Sequence, residues 1–308
     1  MKTRTDTNLV RHVLNGPTMG TRFAAVFYGP AAMDLAGLQL ALQQAVDRVD
    51  AQMSTWKPES DLMQLNRAPL GQWAAVQGQL FAVLAEALAV GRLSGGAFDI
   101  GVGALVASWG FGPEAGKSGP VEAGRVPAHE AIELDHAGWR VRKHAPVNLD
   151  LSGIAKGFGV DELAGVLEAW GARRYLASID GEVRAGQAKP DGSEWRVAIE
   201  SPQEGHRQAG GTVLIADAAL ATSGDYRHVV ERDGVRYAHT MDPWRRAPLD
   251  GGPAAVTVRA PTCMTADAWA TALMVLGPDR GAALAGRYGL GALFAEREDP
   301  MTQPLPSL

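Results

Sequence analysis

In 308 residues the chain holds a single cysteine, Cys263. That excludes an internal disulfide framework and any cysteine-based zinc site. Also missing is an apolar run long enough to cross a bilayer. The opening stretch, Met1 to Thr18, carries Lys2 and Arg4 but no apolar core before Arg11, so it lacks the shape of a secretory signal. The expected location is cytoplasmic for the sequence as given, and periplasmic if a leader has been removed. The chain has no basic stripe and no aromatic-interleaved basic patch. With a formal net charge of -5, it gives no reason to expect nucleic-acid binding. Neither Cys263 nor Ser223 has a base partner visible in the sequence, which ranks covalent serine or cysteine catalysis low. No internal repeat is visible.

What is present suits a sizeable core. The chain is 46% hydrophobic, and its 37 glycines and 18 prolines imply many turns and argue against a helical bundle. Thr21 to Tyr28 reads as a first strand. Asp34 to Met53 reads as an amphipathic helix, with Leu35, Leu38, Leu42, Val46 and Val49 near helical spacing. Further helices are expected over Gln77–Val90, Phe158–Trp170 and from about Thr265 to Leu276, the last stopped by Gly277-Pro278. Strands are expected at Arg174–Ile179, Glu194–Ile199, Thr212–Ala216, Arg227–Glu231, Val235–His239 and Ala254–Ala260, with a short extended piece at Val147–Leu151. Helices in several places around a strand-dense middle make an α+β pattern rather than a regular βαβ repeat. Residues 1–20 read as an N-terminal extension. Residues 21–308 read as one catalytic unit or two closely packed subdomains, and Gly110 to Gly124 is the best candidate for a surface excursion.

Several segments carry groups suited to chemistry. Asp267 and Thr271 are four apart at the start of the last expected helix, so both oxygens face the same way. Such a pair suits a hard cation held against a phosphate, but it equally suits a capped helix with Thr271 bonding backward. Ser152-Gly-Ile-Ala-Lys156-Gly157 follows an extended piece and opens a helix. Helix N–H groups and the Lys156 ammonium could hold a phosphate there, although the Walker pattern is absent and a plain strand-to-helix turn reads as well. In the polar turn from Ala221 to Arg227, Thr222, Ser223 and Arg227 could contact a pyrophosphate, although Ser-Gly-Asp is also a routine turn. His239-Thr240-Met241-Asp242 sets an imidazole at a strand end with a carboxylate just beyond it. It is a candidate for moving a proton, against a buried histidine with a satisfied hydrogen bond.

Taken together these segments resemble the ApbE family, the FAD:protein FMN transferases. The resemblance runs from Gly16-Pro-Thr-Met19-Gly-Thr21 to about Gly277. It includes Met53-Ser-Thr-Trp56-Lys-Pro-Glu-Ser-Asp-Leu62, Gly96-Ala-Phe98-Asp99, Asp150-Leu-Ser-Gly-Ile-Ala155-Lys156-Gly157, Ala221-Thr222-Ser223-Gly224-Asp-Tyr226, His239-Thr-Met-Asp242-Pro243 and the run around Asp267 and Thr271. The resemblance implies an ApbE-like α+β fold of mixed and antiparallel sheets with packed helices. It also implies cleavage of the FAD pyrophosphate, with FMN passed to a serine or threonine hydroxyl of a target flavoprotein and AMP released. Mg2+ is implied as cofactor, with Asp267 and Thr271 supplying side-chain oxygens and Ala155 its carbonyl. His239, or instead Asp242, becomes the candidate for activating the acceptor hydroxyl. Met19, Trp56, Phe98 and Tyr226 become candidate walls for flavin and adenine, and Asp99, Lys156, Asp180, Glu182, Thr222, Ser223 and Gly224 are expected on the FAD side.

Two segments depart from the family pattern. Asp180-Gly181-Glu182 stands where Gly-Gly-Asp is common, so the carboxylate of Glu182 is one methylene longer and Asp180 adds bulk. Trp244-Arg245-Arg246-Ala247-Pro248 replaces a short Thr-Gly ending. The competing expectations are an FAD pyrophosphatase yielding FMN and AMP, and a non-catalytic FAD-binding protein.

Overall fold

The computed structural model describes residues 9–115, 126–202, 209–225, 229–232 and 234–296. In chain order, the hairpin β1 (Leu9–Thr18) and β2 (Thr21–Pro30) leads to α1 (Leu35–Met53), α2 (Asp61–Arg67), β3 (Trp73–Ala75) and α3 (Gly78–Leu93). Next come α4 (Gly103–Ser108), α5 (Ala128–Ala131), β4 (Ile132–Asp135), β5 (Arg140–Lys143) and α6 (Ala155–Ala169). The strands β6 (Arg174–Ile179), β7 (Glu182–Ala185), β8 (Trp195–Glu200), β9 (Ala209–Ile215) and β10 (Ala218–Gly224) follow. Small hairpins β11 (Val229–Arg232) with β12 (Val235–Ala238) and β13 (Met241–Asp242) with β14 (Ala247–Pro248) precede β15 (Ala255–Ala260), α7 (Cys263–Arg287) and β16 (Gly291–Ala295).

The main sheet has seven strands in the order β1-β2-β6-β7-β10-β15-β16, every ladder antiparallel. Its strands neighbour one another in chain order, so the rest of the molecule is inserted between them. The parallel pairing among the described residues is one bridge, Val102 to Asn148. Residues 9–18 therefore belong to this sheet as its edge strand, where the sequence had suggested an extension before the folded unit. Their burial hides the alternation: Val10 and Val13 face outward, and only Gly16 and Thr18 of β1 are buried. Of the expected surface excursion, residues 110–115 are described and residues 116–124 lie outside the described set.

Apolar spacing explains the helices. In α1 the buried positions Leu38, Leu42, Ala45, Val46, Val49 and Met53 recur every three or four residues, and Asp34 caps the start by accepting from the Gly37 N–H at 3.0 Å. Phe23, Phe27, Leu163, Leu167 and Tyr175 fill one core with α1 between the β1-β2-β6 region and α6. A larger core joins α3, α7, β10 and β15 through residues such as Leu84, Leu88, Val256, Trp269 and Leu273. The break expected at Gly277-Pro278 is real but local. Gly277 leaves helical geometry at φ 74°, and helical structure resumes as far as Arg287.

Candidate functional site

The starts of α6 and α7 meet face to face. The Gly157 N–H of α6 donates to Asp267 Oδ2 of α7 at 2.9 Å. A Cβ at Gly157 would lie 2.3 Å from the Cys263 carbonyl oxygen and 2.7 Å from Asp267 Cβ, so only glycine lets the two helices come this close. One turn further along α7, Thr271 Oγ1 is 3.1 Å from Ser223 Oγ on β10. Gly153 makes room for Thr271 in the same way, since a Cβ there would sit 3.0 Å from its hydroxyl. Asp267 and Thr271 thus do share a helix face, and that face meets α6 and β10.

Lys156, on the first turn of α6, puts its Nζ 2.7 Å from Glu182 Oε1 and 3.6 Å from Asp180 Oδ2. Glu182 opens β7 and is 2% exposed. Asp180 sits in the two-residue turn between β6 and β7 in the left-handed region, φ 54°, and its carboxylate joins Glu182 at the lysine. The added bulk that the sequence flagged at position 180 is therefore spent on an ion pair. Burial works against the Lys156 ammonium, but Glu182, Asp267 and Asp180 outweigh it and hold its pKa above the ordinary lysine range. Asp267 is pushed up to about 7, first by burial and then by the Glu182 charge, against the pull of Lys156 and the Gly157 N–H. One ammonium faces three carboxyl groups here, a surplus of acidic groups over basic ones.

These groups open onto one cavity of about 1160 Å³. Ala155, Lys156, Asp267 and Thr271 line it from the helix starts, and Asp180 and Glu182 from the β6–β7 turn. Thr222, Ser223 and Gly224 line it from the end of β10, where Thr222 Oγ1 is 2.8 Å from Thr257 Oγ1 of β15. Met19, Trp56, Phe98 and Asp99 line it as well. Met19 and Gly20 form the two-residue turn of the β1–β2 hairpin, both at positive φ (42° and 71°), which suits the twist of paired strands. Trp56 is 70% exposed. Asp99 is buried, and its Oδ1 accepts from the Gly101 and Ala128 N–H groups at 2.8 and 3.1 Å, tying the glycine-dense turn to α5. His239 reaches the wall directly after β12. The Tyr237 ring beside it packs on Trp109, with centroids 5.0 Å apart, and Arg232 lies over the same indole.

One expected residue is not brought in. Asp242 is absent from the cavity lining. Its Oδ1 accepts from the Trp244 and Arg245 N–H groups, both at 2.9 Å, and so shapes the β13–β14 turn. Tyr226 and Arg227 lie outside the described residues. Three contributions were not read from the sequence. Val197, Ala198, Ile199 and Glu200 of β8 form a wall, and Thr257 lies beneath Thr222. Asp161 of α6 bonds backbone groups 102 and 103 residues further along. Asp150 and Ser152 also line the cavity and did carry a signal, being part of the motif that opens α6.

No group of three or more His, Cys, Asp or Glu side chains placed to hold a metal occurs among the described residues. The oxygen set at α6, α7 and β10 still fits a hard cation that completes its shell with phosphate oxygens and water, because the buried carboxylate surplus favours positive charge.

The chain is similar to the FAD:protein FMN transferase of Vibrio cholerae serotype O1, at 39% identity over 292 residues, covering 93% of this chain and 87% of that protein. It is similar to the FAD:protein FMN transferase of Escherichia coli K12 at 35% identity over 302 residues, covering 93% and 84%. Among solved structures, the flavin transferase ApbE from Vibrio cholerae superposes with a TM-score of 0.82 at 35% identity, over 96% of each chain. The signature of the ApbE family matches residues 19–294, and the chain belongs to that family.

Proposed function

We propose that this protein transfers FMN from FAD to a serine or threonine hydroxyl of a target flavoprotein, with Mg2+ and with release of AMP. One observation carries the reading: oxygen donors from two helix starts and from β10 converge on a single large cavity in an ApbE-family chain. The relatives' activity is the first support, and the chemistry of the site is the second. Asp267, Thr271 and the Ala155 carbonyl would hold the magnesium, which supplies charge neutralisation at the pyrophosphate and polarises phosphorus.

The chain's own residues do the rest. The hydroxyls of Thr222 and Ser223, at the end of β10, bind the phosphate oxygens. Glu182 and Asp180 fix the Lys156 ammonium beside them. Met19, Trp56 and Phe98 supply apolar walls for the ring systems. His239 takes the proton of the acceptor hydroxyl as the new O–P bond forms on the FMN phosphorus. The bond from that phosphorus to the bridging oxygen breaks, and AMP departs with that oxygen.

Incubation of the protein with FAD, Mg2+ and a flavoprotein acceptor tests this by intact-mass spectrometry. An acceptor heavier by one FMN phosphoester, with an equivalent of AMP, is the expected result. FMN and AMP with an unmodified acceptor would instead assign a pyrophosphatase, and bound but unchanged FAD a binding protein.

A further inference from the structure

The contact between α6 and α7 is reciprocal. Asp267 of α7 accepts from the Gly157 N–H of α6 at 2.9 Å. In the opposite direction, Asp161 of α6 accepts from the first two N–H groups of α7, with Oδ1 2.9 Å from the Cys263 nitrogen and Oδ2 2.8 Å from the Met264 nitrogen. On each helix the donor and the carboxylate are four residues apart, 157 with 161 and 263 with 267, so each pair shares one face. The two helices therefore clasp each other's N-terminus with matching carboxylates. Of the two, only Asp267 lines the cavity. Asp161 is turned away from it and anchored from behind by Arg184 of β7, whose Nη1 is 2.7 Å from Asp161 Oδ1.

We infer that Asp161, held by Arg184, is a positioning residue for Asp267. By bonding both leading N–H groups of α7, it fixes the height and rotation of the turn that carries Asp267. The two-oxygen grip matters because two bonds fix the direction of the leading turn as well as its distance, which one bond does not. Asp267 Oδ2 is already committed to Gly157, and Oδ1 has no hydrogen-bond partner among the described residues, which leaves it for a cation. A carboxylate that holds a ligand-bearing element in place governs how well the site binds its metal without touching it.

This inference rests on the magnesium reading above, and the experiment keeps the two apart. FAD turnover is measured against Mg2+ concentration for the wild type, Asp161→Asn and Arg184→Gln, Mg2+ binding to each protein is measured directly by isothermal titration calorimetry, and folding is checked by circular dichroism. The asparagine variant presents an amide to the Met264 N–H and so loses half of the grip. The arginine variant leaves Asp161 intact but removes its anchor. The expected result is a half-saturating Mg2+ concentration raised about ten-fold or more in Asp161→Asn and less in Arg184→Gln, with turnover recovered at saturating Mg2+. Lower turnover at every Mg2+ concentration with an unchanged half-saturation point would mean a smaller folded fraction, and overturns the inference. Failure of both variants to fold also overturns it, since the clasp would then serve folding rather than the metal. If only the asparagine variant fails to fold, the arginine variant decides by the same criterion. A wild type whose turnover ignores Mg2+ refutes the magnesium reading itself.

Discussion

Asparagine at position 267 would keep an oxygen for the Gly157 N–H while discarding a charge buried beside Glu182. Asp267→Asn is therefore expected to cost little stability, and the metal-free protein should melt at or above the wild-type temperature by calorimetry. Its Mg2+-dependent turnover should fall at least about 100-fold, because no neutral amide replaces a carboxylate ligand. Trp56, with its ring 70% exposed on the cavity wall, should behave in the opposite sense to a core residue. Trp56→Ala should raise the KM for FAD while shifting the urea midpoint by no more than about 0.5 kcal/mol of stability. At this scale the sequence was informative where spacing is local. Asp267 and Thr271 share a face because they are four apart, as the helix period requires. It was silent on Asp161, whose partners are 102 and 103 residues away. It was ambiguous on Asp242, because adjacency to His239 says nothing of which N–H groups a carboxylate turns toward.

Among the elements, the close approach of α6 to α7 depends on a missing side chain. Gly157→Ala would drive a methyl group onto the Cys263 carbonyl at 2.3 Å, and backbone cannot step aside as a side-chain tip can. A loss of about 2 kcal/mol or more in urea unfolding is expected, together with weakened Mg2+ dependence as the helices part. The loop between α1 and α2 offers a second test. Ser60 caps α2 by accepting from the Met63 N–H at 3.1 Å and donates to the Ser54 carbonyl at 2.7 Å, while almost fully buried. Ser60→Ala should cost about 1–2 kcal/mol by the same measurement. Long amphipathic elements such as α1 were legible to within a residue or two, since their apolar period is strong. The short pieces β3, β4 and β5 were not, because three or four residues hold too few periods to count. The helix α2 was not read either, because its seven residues make barely two turns.

Across the whole molecule, the cavity draws its walls from Met19 to Thr271, so nearly the entire chain must fold before it exists. The α+β class followed from the strand-dense middle, but the strand order did not, because long insertions separate neighbours in the sheet. The departures at positions 180 and 244–246 are absorbed locally: Asp180 pairs with Lys156, and Trp244 lies under Arg280 with 5.4 Å from the guanidinium to the ring. The mutual grip of α6 and α7 has a consequence for synthesis. On the ribosome, Asp161 emerges about a hundred residues ahead of the backbone groups it will bind. Until the segment from Cys263 onward follows, the nascent chain can assemble strands and helices of the first core yet has no complete place for FAD. A product truncated before α7 would therefore lack the completed cavity, whatever else of it had folded.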